Sequence, residues 1–355
     1  MTVAGVPRRH LSERVARWSL EVEVPATEPG SGSRHLLRGW VCAPRDPDPS
    51  QRTVVAYCLA GGKCTTRYFD LHVGGHEGYS MAEHLARRGA VVVALDHPGV
   101  GASSPVDDAC LLTPPVVAGA HHHAVGEVTA ALAAGTLAPD LAPVQVARIL
   151  AVGHSMGGML AVVQQARHRS FDALAVLGHG GDGLPAFLTA DERAVLDVVP
   201  DAPTEGSPDE RYERIAALAR LRAAAAEANG GPDGRRRLPP GSFFAQDVPR
   251  AVRDAFVTQQ TELLHACGLT SMIPGATDPE KAAIAVPLFL AFGDQDLTGD
   301  PMGCLAKYGA ATDATLFVLA DSGHCHNQAS RRAELWDRMW RWVKALVPRI
   351  PQPLP

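Results

Sequence analysis

The chain of 355 residues lacks the marks of several functional classes. Its seven cysteines (Cys42, Cys58, Cys64, Cys110, Cys267, Cys304 and Cys325) are odd in number, scattered, and form no C-x-x-C pair. That is poor material for a disulfide framework or a zinc site. The formal net charge is only −5, too mild to point to a nucleic-acid or polyanion partner. No apolar run approaches the 18 or so residues that a membrane-crossing helix needs. The first twenty residues are interrupted by Arg8, Arg9, Arg14 and Arg17 and hold no apolar stretch of signal-peptide length. A soluble, reducing, cytoplasmic setting without membrane partner is the expectation. Aromatics are sparse at 5%, while Ala, Gly, Arg and Pro are abundant, which reads as a bias of composition rather than a clue to function. With 46% hydrophobic and 20% charged residues the chain has the makings of a globular enzyme. Its length suits a core of about 250 residues that carries an insertion.

What is present is a rhythm. Leu20–Val24 alternates like a half-exposed strand, and His35–Cys42 is placed to pair with it across a Gly/Ser/Pro-rich turn. Apolar, β-branched runs follow at Thr53–Leu59, Ala90–Leu95, Val146–Val152, Phe171–Leu177, Val286–Phe292 and Thr315–Leu319. Helical patterns fall between them at Glu77–Arg88, His121–Ala134 and Met159–Arg167, and Glu334–Leu346 closes the chain with Leu335, Met339, Val343 and Leu346 on one stripe. Near-continuous apolar strands alternating with helices predict a mostly parallel sheet covered on both faces. Ligands of such sheets bind at the carboxyl ends of the strands.

The rhythm stops for about a hundred residues after Asp182. Thr189–Glu192 and Ser207–Glu210 look like capping-box helix starts, the second with proline at the first helical position. Arg211–Ala228 and Pro249–Cys267 read as helices on either side of a polar loop holding Arg235, Arg236 and Arg237, a solvated surface run. The expectation is an all-helical insertion over residues 183–282, between core segments 1–182 and 283–355.

One stretch carries chemistry. Gly153-His154-Ser155-Met156-Gly157 fits G-x-S-x-G, and it stands between a predicted strand and a predicted helix. In that setting a serine sits on a strained turn with its hydroxyl held up for attack, and the flanking glycines avoid collisions with strand and helix. A serine hydroxyl is a weak nucleophile at neutral pH and needs a base that is itself oriented by an acid. Asp321-Ser322-Gly323-His324-Cys325-His326 lies just past the last strand and offers His324 or His326 as the base. Gly293-Asp294-Gln295-Asp296, past Val286–Phe292, offers two carboxylates, and Asp182 offers a third.

With Ala60-Gly61-Gly62 after the third strand and Asp96-His97-Pro98-Gly99-Val100-Gly101-Ala102-Ser103 after the fourth, the chain resembles the α/β-hydrolase superfamily over nearly its whole length. The resemblance implies the α/β-hydrolase fold, with the insertion as a helical cap. Its Gly-His pattern selects His324, and its G-x-x-D pattern selects Asp296, leaving Asp294 to cap a turn. It implies an oxyanion hole from the amides of Met156 and Gly62, with Lys63, His154, His179 and Phe187 near the substrate. The family usually has a histidine where this chain has Ala60. The implied reaction is acyl transfer on Ser155, cleaving a carboxylic ester or lactone with no metal or organic cofactor.

Amides, thioesters, C–C bonds, a cofactor-free lyase and a low-turnover receptor are the alternatives that the same residues leave open. An epoxide hydrolase or dehalogenase is disfavoured because serine, not aspartate, stands at the elbow. Phe187, Phe243, Phe244 and Phe256 point to an apolar substrate of medium size. His121-His122-His123 does not suit a metal, since consecutive helical residues point about 100° apart. Asp96 is expected to organise its loop. The oligomeric state, a homodimer included, is left open.

Overall fold

The computed structural model describes residues 14–25, 34–45, 51–138, 140–189, 208–228 and 241–347. The expected capping-box starts at Thr189–Glu192 and Ser207, the arginine run at 235–237 and the turn between the first two strands fall wholly or partly outside them.

Eight strands form one sheet: β1 (Val15–Val24), β2 (His35–Pro44), β3 (Thr53–Leu59), β4 (Val91–Leu95), β5 (Val146–His154), β6 (Ala173–Leu177), β7 (Leu288–Gly293) and β8 (Ala314–Leu319). Their order across the sheet is β1-β2-β4-β3-β5-β6-β7-β8. β1 and β2 run antiparallel from Val15 opposite Pro44 to Val24 opposite His35, and β2 meets β4 antiparallel. Every other pairing is parallel.

Period-two alternation divides each central strand between two cores. Val55, Tyr57 and Leu59 of β3 and Val91, Val93 and Leu95 of β4 face α2 (Pro114–Ala134) and α3 (Met156–His168). Val54, Ala56 and Cys58, with Val92 and Ala94, face the opposite layer of α1 (Met81–Ala86) and α9 (Arg332–Ala345). The stripe of Leu335, Met339 and Val343 in α9 is buried there as its spacing predicts. Helices on both faces of a mostly parallel sheet are the arrangement that the resemblance implied.

Two helices of the sheet-covering layers depart from expectation. α1 is half the expected length because Gly78 takes φ +75° and Ser80 caps the helix, its Oγ accepting from Glu83 N–H at 3.0 Å. α2 begins two turns earlier than expected, at Pro114, where proline at the first position costs no hydrogen bond.

Among the described residues between Gly178 and Pro287 there is no strand. This region holds α4 (Pro208–Ala228), α5 (Arg250–Val257), α6 (His265–Met272) and α7 (Asp278–Ala282). The expected helix over Pro249–Cys267 is two helices. Between them Thr261 N–H donates to Lys63 O at 2.9 Å, outside any helical ladder, and Leu264 enters α6 in an extended conformation. Ile215, Ala216 and Ala219 of α4 pack on Ala266 and Leu269 of α6 in a small apolar cluster of their own. Arg211 and Tyr212 both bond Glu280 of α7, tying the helices together. α8 (Pro301–Ala306) lies between β7 and β8.

Candidate active site

The sharp turn after β5 is the geometric centre of the site. Ser155 takes φ +54° and ψ −120°, a conformation that L residues rarely adopt. The glycines around it are obligatory. A Cβ on Gly153 would lie 2.4 Å from Gly157 O, and one on Gly157 would lie 2.0 Å from Leu59 O. Ser155 N–H donates to Leu177 O at 2.7 Å, which anchors the turn to the end of β6. Met156 opens α3, so its amide points out of the helix start without an intrahelical acceptor.

His324 and Asp296 come to this serine from the ends of β8 and β7. His324 Nε2 lies 2.8 Å from Ser155 Oγ, and His324 Nδ1 lies 2.8 Å from Asp296 Oδ1. A carboxylate accepts only, so Nδ1 carries the proton and Nε2 is left to accept from the serine hydroxyl. Burial by itself raises the Asp296 carboxyl, yet His324 and His326 beside it hold it well below the usual carboxylate range. The two rival acids stand elsewhere. Asp294 accepts from the backbone N–H groups of Asp321 and Ser322, both at 3.0 Å, as a turn cap should. Asp182 is exposed beside Gly299.

The rival base has a place of its own. His326 is fully buried, and its Nε2 lies 2.8 Å from the second oxygen of Asp296. Gly293 N–H reaches the same oxygen at 3.4 Å. The carboxylate therefore accepts from an imidazole on each oxygen, an arrangement that the sequence signalled only as a second histidine two positions on.

Across the serine lies the loop after β3. A Cβ on Gly61 would meet His154 Nδ1 at 2.8 Å and Ser155 Cβ at 3.2 Å, so the loop backbone runs against the turn. Gly62 lies beside Met156, whose Sδ would be 3.9 Å from a Cβ there, and beneath Leu263, whose Cδ1 would be 2.8 Å away. Lys63 is exposed with φ +62°, its carbonyl tied to Thr261. Asp96 organises this region as expected, accepting from Thr66 N–H at 2.7 Å and Ala102 N–H at 2.9 Å.

His154 is not placed to line a pocket. It is buried, stacked on Tyr68 with ring centroids 4.2 Å apart, and its Nε2 donates to the backbone carbonyl of His324 at 2.8 Å. The reason is the strand's alternation: Ser155 turns up, and the residue before it turns into the core. Burial, with His324 and His326 next to it, holds its imidazole neutral. His179 is buried beside Gly158 at the end of β6, with Thr277 Oγ1 3.5 Å from its Nε2. Burial and the nearby Lys281 push its basicity down as well.

The four phenylalanines divide into two pairs. Phe243, itself exposed, approaches His324 edge-on at 6.0 Å, and Phe187 approaches Phe243 at 6.3 Å, so Phe243 stands beside the base and Phe187 behind it. Phe244 and Phe256 instead pack on each other at 5.4 Å, and Phe256 on Tyr68 at 6.1 Å, in the core. The segment carrying Phe243 is bonded to the base loop itself. His324 N–H donates to Ser242 O at 2.7 Å, and Cys325 N–H to Phe243 O at 2.8 Å. Gly323 is needed for this contact, because a Cβ there would sit 2.2 Å from Gly241 O.

The three consecutive histidines diverge as expected. His121 is buried on His97, while the exposed His122 bonds Ser170 Oγ at 2.9 Å and stacks on His168. Among the described residues no group of three or more His, Cys, Asp or Glu is placed to hold a metal ion. No helix among them is long and apolar enough to cross a membrane. Burial pushes the Cys64 thiol up to about 12 and that of Cys325 well above its ordinary range, so both are packing groups. A cavity of about 500 Å³ lies elsewhere, between the β1–β2 ribbon and the loop after β3, with Arg17, Trp40, Arg67 and Asp96 in its wall and none of Ser155, Asp296 or His324.

Known proteins share this architecture. The chain resembles a highly thermostable carboxyl esterase from Bacillus coagulans, solved with glycerol, at a TM-score of 0.58 and 17% identity, over 93% of this chain and 99% of that one. A thermophilic esterase from Thermogutta terrifontis, solved with malate, matches at 0.56 and 14%, over 93% and 100%. An epoxide hydrolase from Vigna radiata matches at 0.54 and 13%, over 92% and 98%. At these identities the likeness is one of fold. No curated protein matches in sequence. The family model described as the Alpha/beta hydrolase family matches residues 67–338, a span that holds the serine turn, His324, Asp296 and the helical insertion, and the chain belongs to that family.

Proposed function

We propose that this chain is a serine hydrolase that cleaves a carboxylic ester or lactone of an apolar, medium-sized substrate through an acyl-enzyme on Ser155. One observation carries the reading: the unbroken line from Ser155 Oγ through His324 to Asp296, with 2.8 Å at each step. His324 takes the serine proton as Oγ attacks the carbonyl carbon, then gives it to the leaving alcohol. Asp296 holds the imidazole in the tautomer that can accept, and favours the imidazolium that forms. Charge developing on the carbonyl oxygen is met by the amides of Met156 and Gly62. A water, activated by the same His324, then attacks the acyl carbon and releases the acid.

The helical insertion is the cap of this site. Phe243 beside His324, Phe187 packed on Phe243, and Leu263 against Gly62 would give the substrate an apolar roof. That supports an apolar acyl or alcohol part over a charged one.

Labelling with a fluorophosphonate probe tests the reading. Wild type is expected to take one label on Ser155 and Ser155→Ala none. Hydrolysis of short p-nitrophenyl esters is expected to fall by several orders of magnitude in Ser155→Ala or His324→Ala, with the double variant little worse, since such groups act as a unit. Label retained by Ser155→Ala removes Ser155 as nucleophile. A parallel panel of lactones, thioesters and amides fixes the bond cleaved.

A further inference from the structure

The loop that would carry the Gly62 oxyanion donor contains two adjacent glycines, Gly61 and Gly62, followed by Lys63 at φ +62°. Two glycines in a row give the backbone wide conformational freedom. A preorganised donor needs that freedom removed before the reaction begins. Three contacts do so. The Lys63 carbonyl is held by Thr261 N–H, Gly61 lies against His154, and the Ala60 carbonyl is held by a buried histidine from another loop.

That histidine is His97, 1% exposed, from the turn after β4. Its Nε2 lies 2.9 Å from Ala60 O and its Nδ1 lies 2.8 Å from Nε2 of His121, itself buried on α2. The tautomers follow from the partners. A carbonyl accepts only, so His97 Nε2 must carry the proton, and a neutral His97 then accepts at Nδ1. His121 must therefore donate from its own Nε2. Burial favours the neutral form of both rings. The other side of the Ala60 carbonyl is closed by α3, where a Cβ on Gly157 would stand 2.5 Å away.

We propose that His97 is a positioning residue for the oxyanion loop: with its proton held on Nε2 by His121, it fixes the Ala60 carbonyl and thereby the direction of the Gly62 amide two residues on. This rests on the serine-hydrolase reading above. It assigns a role to one of the three consecutive histidines, and it supplies a side-chain anchor at the loop position where this chain has alanine. His97 touches no reacting atom and acts through the backbone alone.

The test compares wild type, His97→Ala, His97→Gln and His121→Leu in the full chain. The readouts are the second-order rate of fluorophosphonate labelling, kcat and KM on a short p-nitrophenyl ester, and inhibition by a trifluoromethyl ketone, whose adduct carries an oxyanion. Outright removal of an oxyanion donor costs about 10²–10³ in kcat, and a misdirected one should cost less. His97→Ala is expected to lose about 10- to 100-fold in labelling rate, kcat and ketone affinity, with KM unchanged. Glutamine carries an N–H of similar reach and is expected to restore most of the loss.

His121→Leu leaves His97 in place but frees its tautomer, so an intermediate loss is expected, with ring-nitrogen NMR showing His97 no longer held to one tautomer. Should His97→Ala fail to fold, His121→Leu and His97→Gln carry the same comparison. Folded variants that label and turn over within about 2-fold of wild type overturn the inference while leaving Ser155 in its role. A loss in KM alone, or no rescue by glutamine, assigns His97 to packing and also overturns it. A wild type that takes no label on Ser155 removes the underlying reading, and the inference with it.

Discussion

Acid should unfold this protein through its buried histidines. His97, His121, His154 and His179 are each 5% exposed or less, and burial lowers the basicity of all four below the ordinary 6.5. The unfolded chain protonates them near 6.5, and the folded chain does not. Their stabilising effect is therefore complete above that pH and is lost as pH falls towards the folded values. Each contributes a slope of about 1.36 kcal/mol per pH unit in that window, so the four together reach about 5 kcal/mol per unit.

His72 has the opposite sign, because Asp70 raises it, but it is half-exposed and solvent discounts its effect. Asp296 is depressed well below 3.8, so its contribution is lost only under more acid conditions. A stability of about 5–15 kcal/mol is therefore eroded steeply as pH falls below 6.5. Urea titrations at several pH values check the slope, and calorimetry in two buffers of different ionisation enthalpy counts the protons taken up. His179→Asn should lower the slope by about one proton's worth, about 1.36 kcal/mol per unit. A stability that stays flat from about pH 7 to pH 5 would refute the reasoning, since four neutral buried imidazoles cannot give it.

The remaining expectations concern single side chains. Asp296→Asn should cost on the order of 10⁴ in kcat by favouring the wrong His324 tautomer, while Asp294→Asn and the exposed Asp182→Asn should cost far less; steady-state kinetics on one ester decides, and a damaging Asp182→Asn moves the acid to the earlier strand. His326→Leu removes the imidazole donor from Asp296 Oδ2, leaving only the longer bond from Gly293 N–H, and should cost about 1.5–3 kcal/mol in urea denaturation; an unchanged midpoint means that the 2.8 Å contact carries no weight. Phe187→Ala or Phe243→Ala should reorder preference among acyl chain lengths by about 10- to 200-fold with Ser155 labelling intact, whereas Phe256→Ala should cost about 3–5 kcal/mol of stability and leave the profile alone. An acyl-length panel with thermal unfolding of each variant separates the two outcomes.

What the sequence disclosed was set by period and by local chemistry. Thr53–Leu59 is a strand within its expected bounds because every residue of it is buried, so the apolar run and the strand coincide. The Ser155 turn was legible because its glycines are dictated by contacts within a few residues and the adjoining strand. The failures around the site, unlike the local ones at the starts of α1 and α2, have their origin in partners distant along the chain. His154 is part of the same pentapeptide, but what it bonds is the carbonyl of His324, 170 positions away. The break between α5 and α6 follows from Thr261 bonding Lys63, about two hundred residues earlier. Phe244 and Phe256 looked like pocket aromatics because composition alone cannot say that Phe256 packs on Tyr68, 188 positions earlier.

Strand ends and the segment above them act differently on the site. Strand ends deliver Ser155, Asp296 and His324 whatever lies above them, because a parallel sheet opens all its carboxyl ends on one side. The proposed roof is held in another way. Ser242 and Phe243 accept hydrogen bonds from the amides of His324 and Cys325, so the segment that bears the apolar contact is fastened to the loop that bears the base. A substitution that shifts Phe243 therefore moves backbone that His324 depends on, and selectivity and rate are coupled through two amides. Side-chain truncation leaves those amides in place. That is why Phe243→Ala should alter the choice of substrate and spare the labelling of Ser155, whereas a Cβ at Gly323, 2.2 Å from Gly241 O, would disturb both at once.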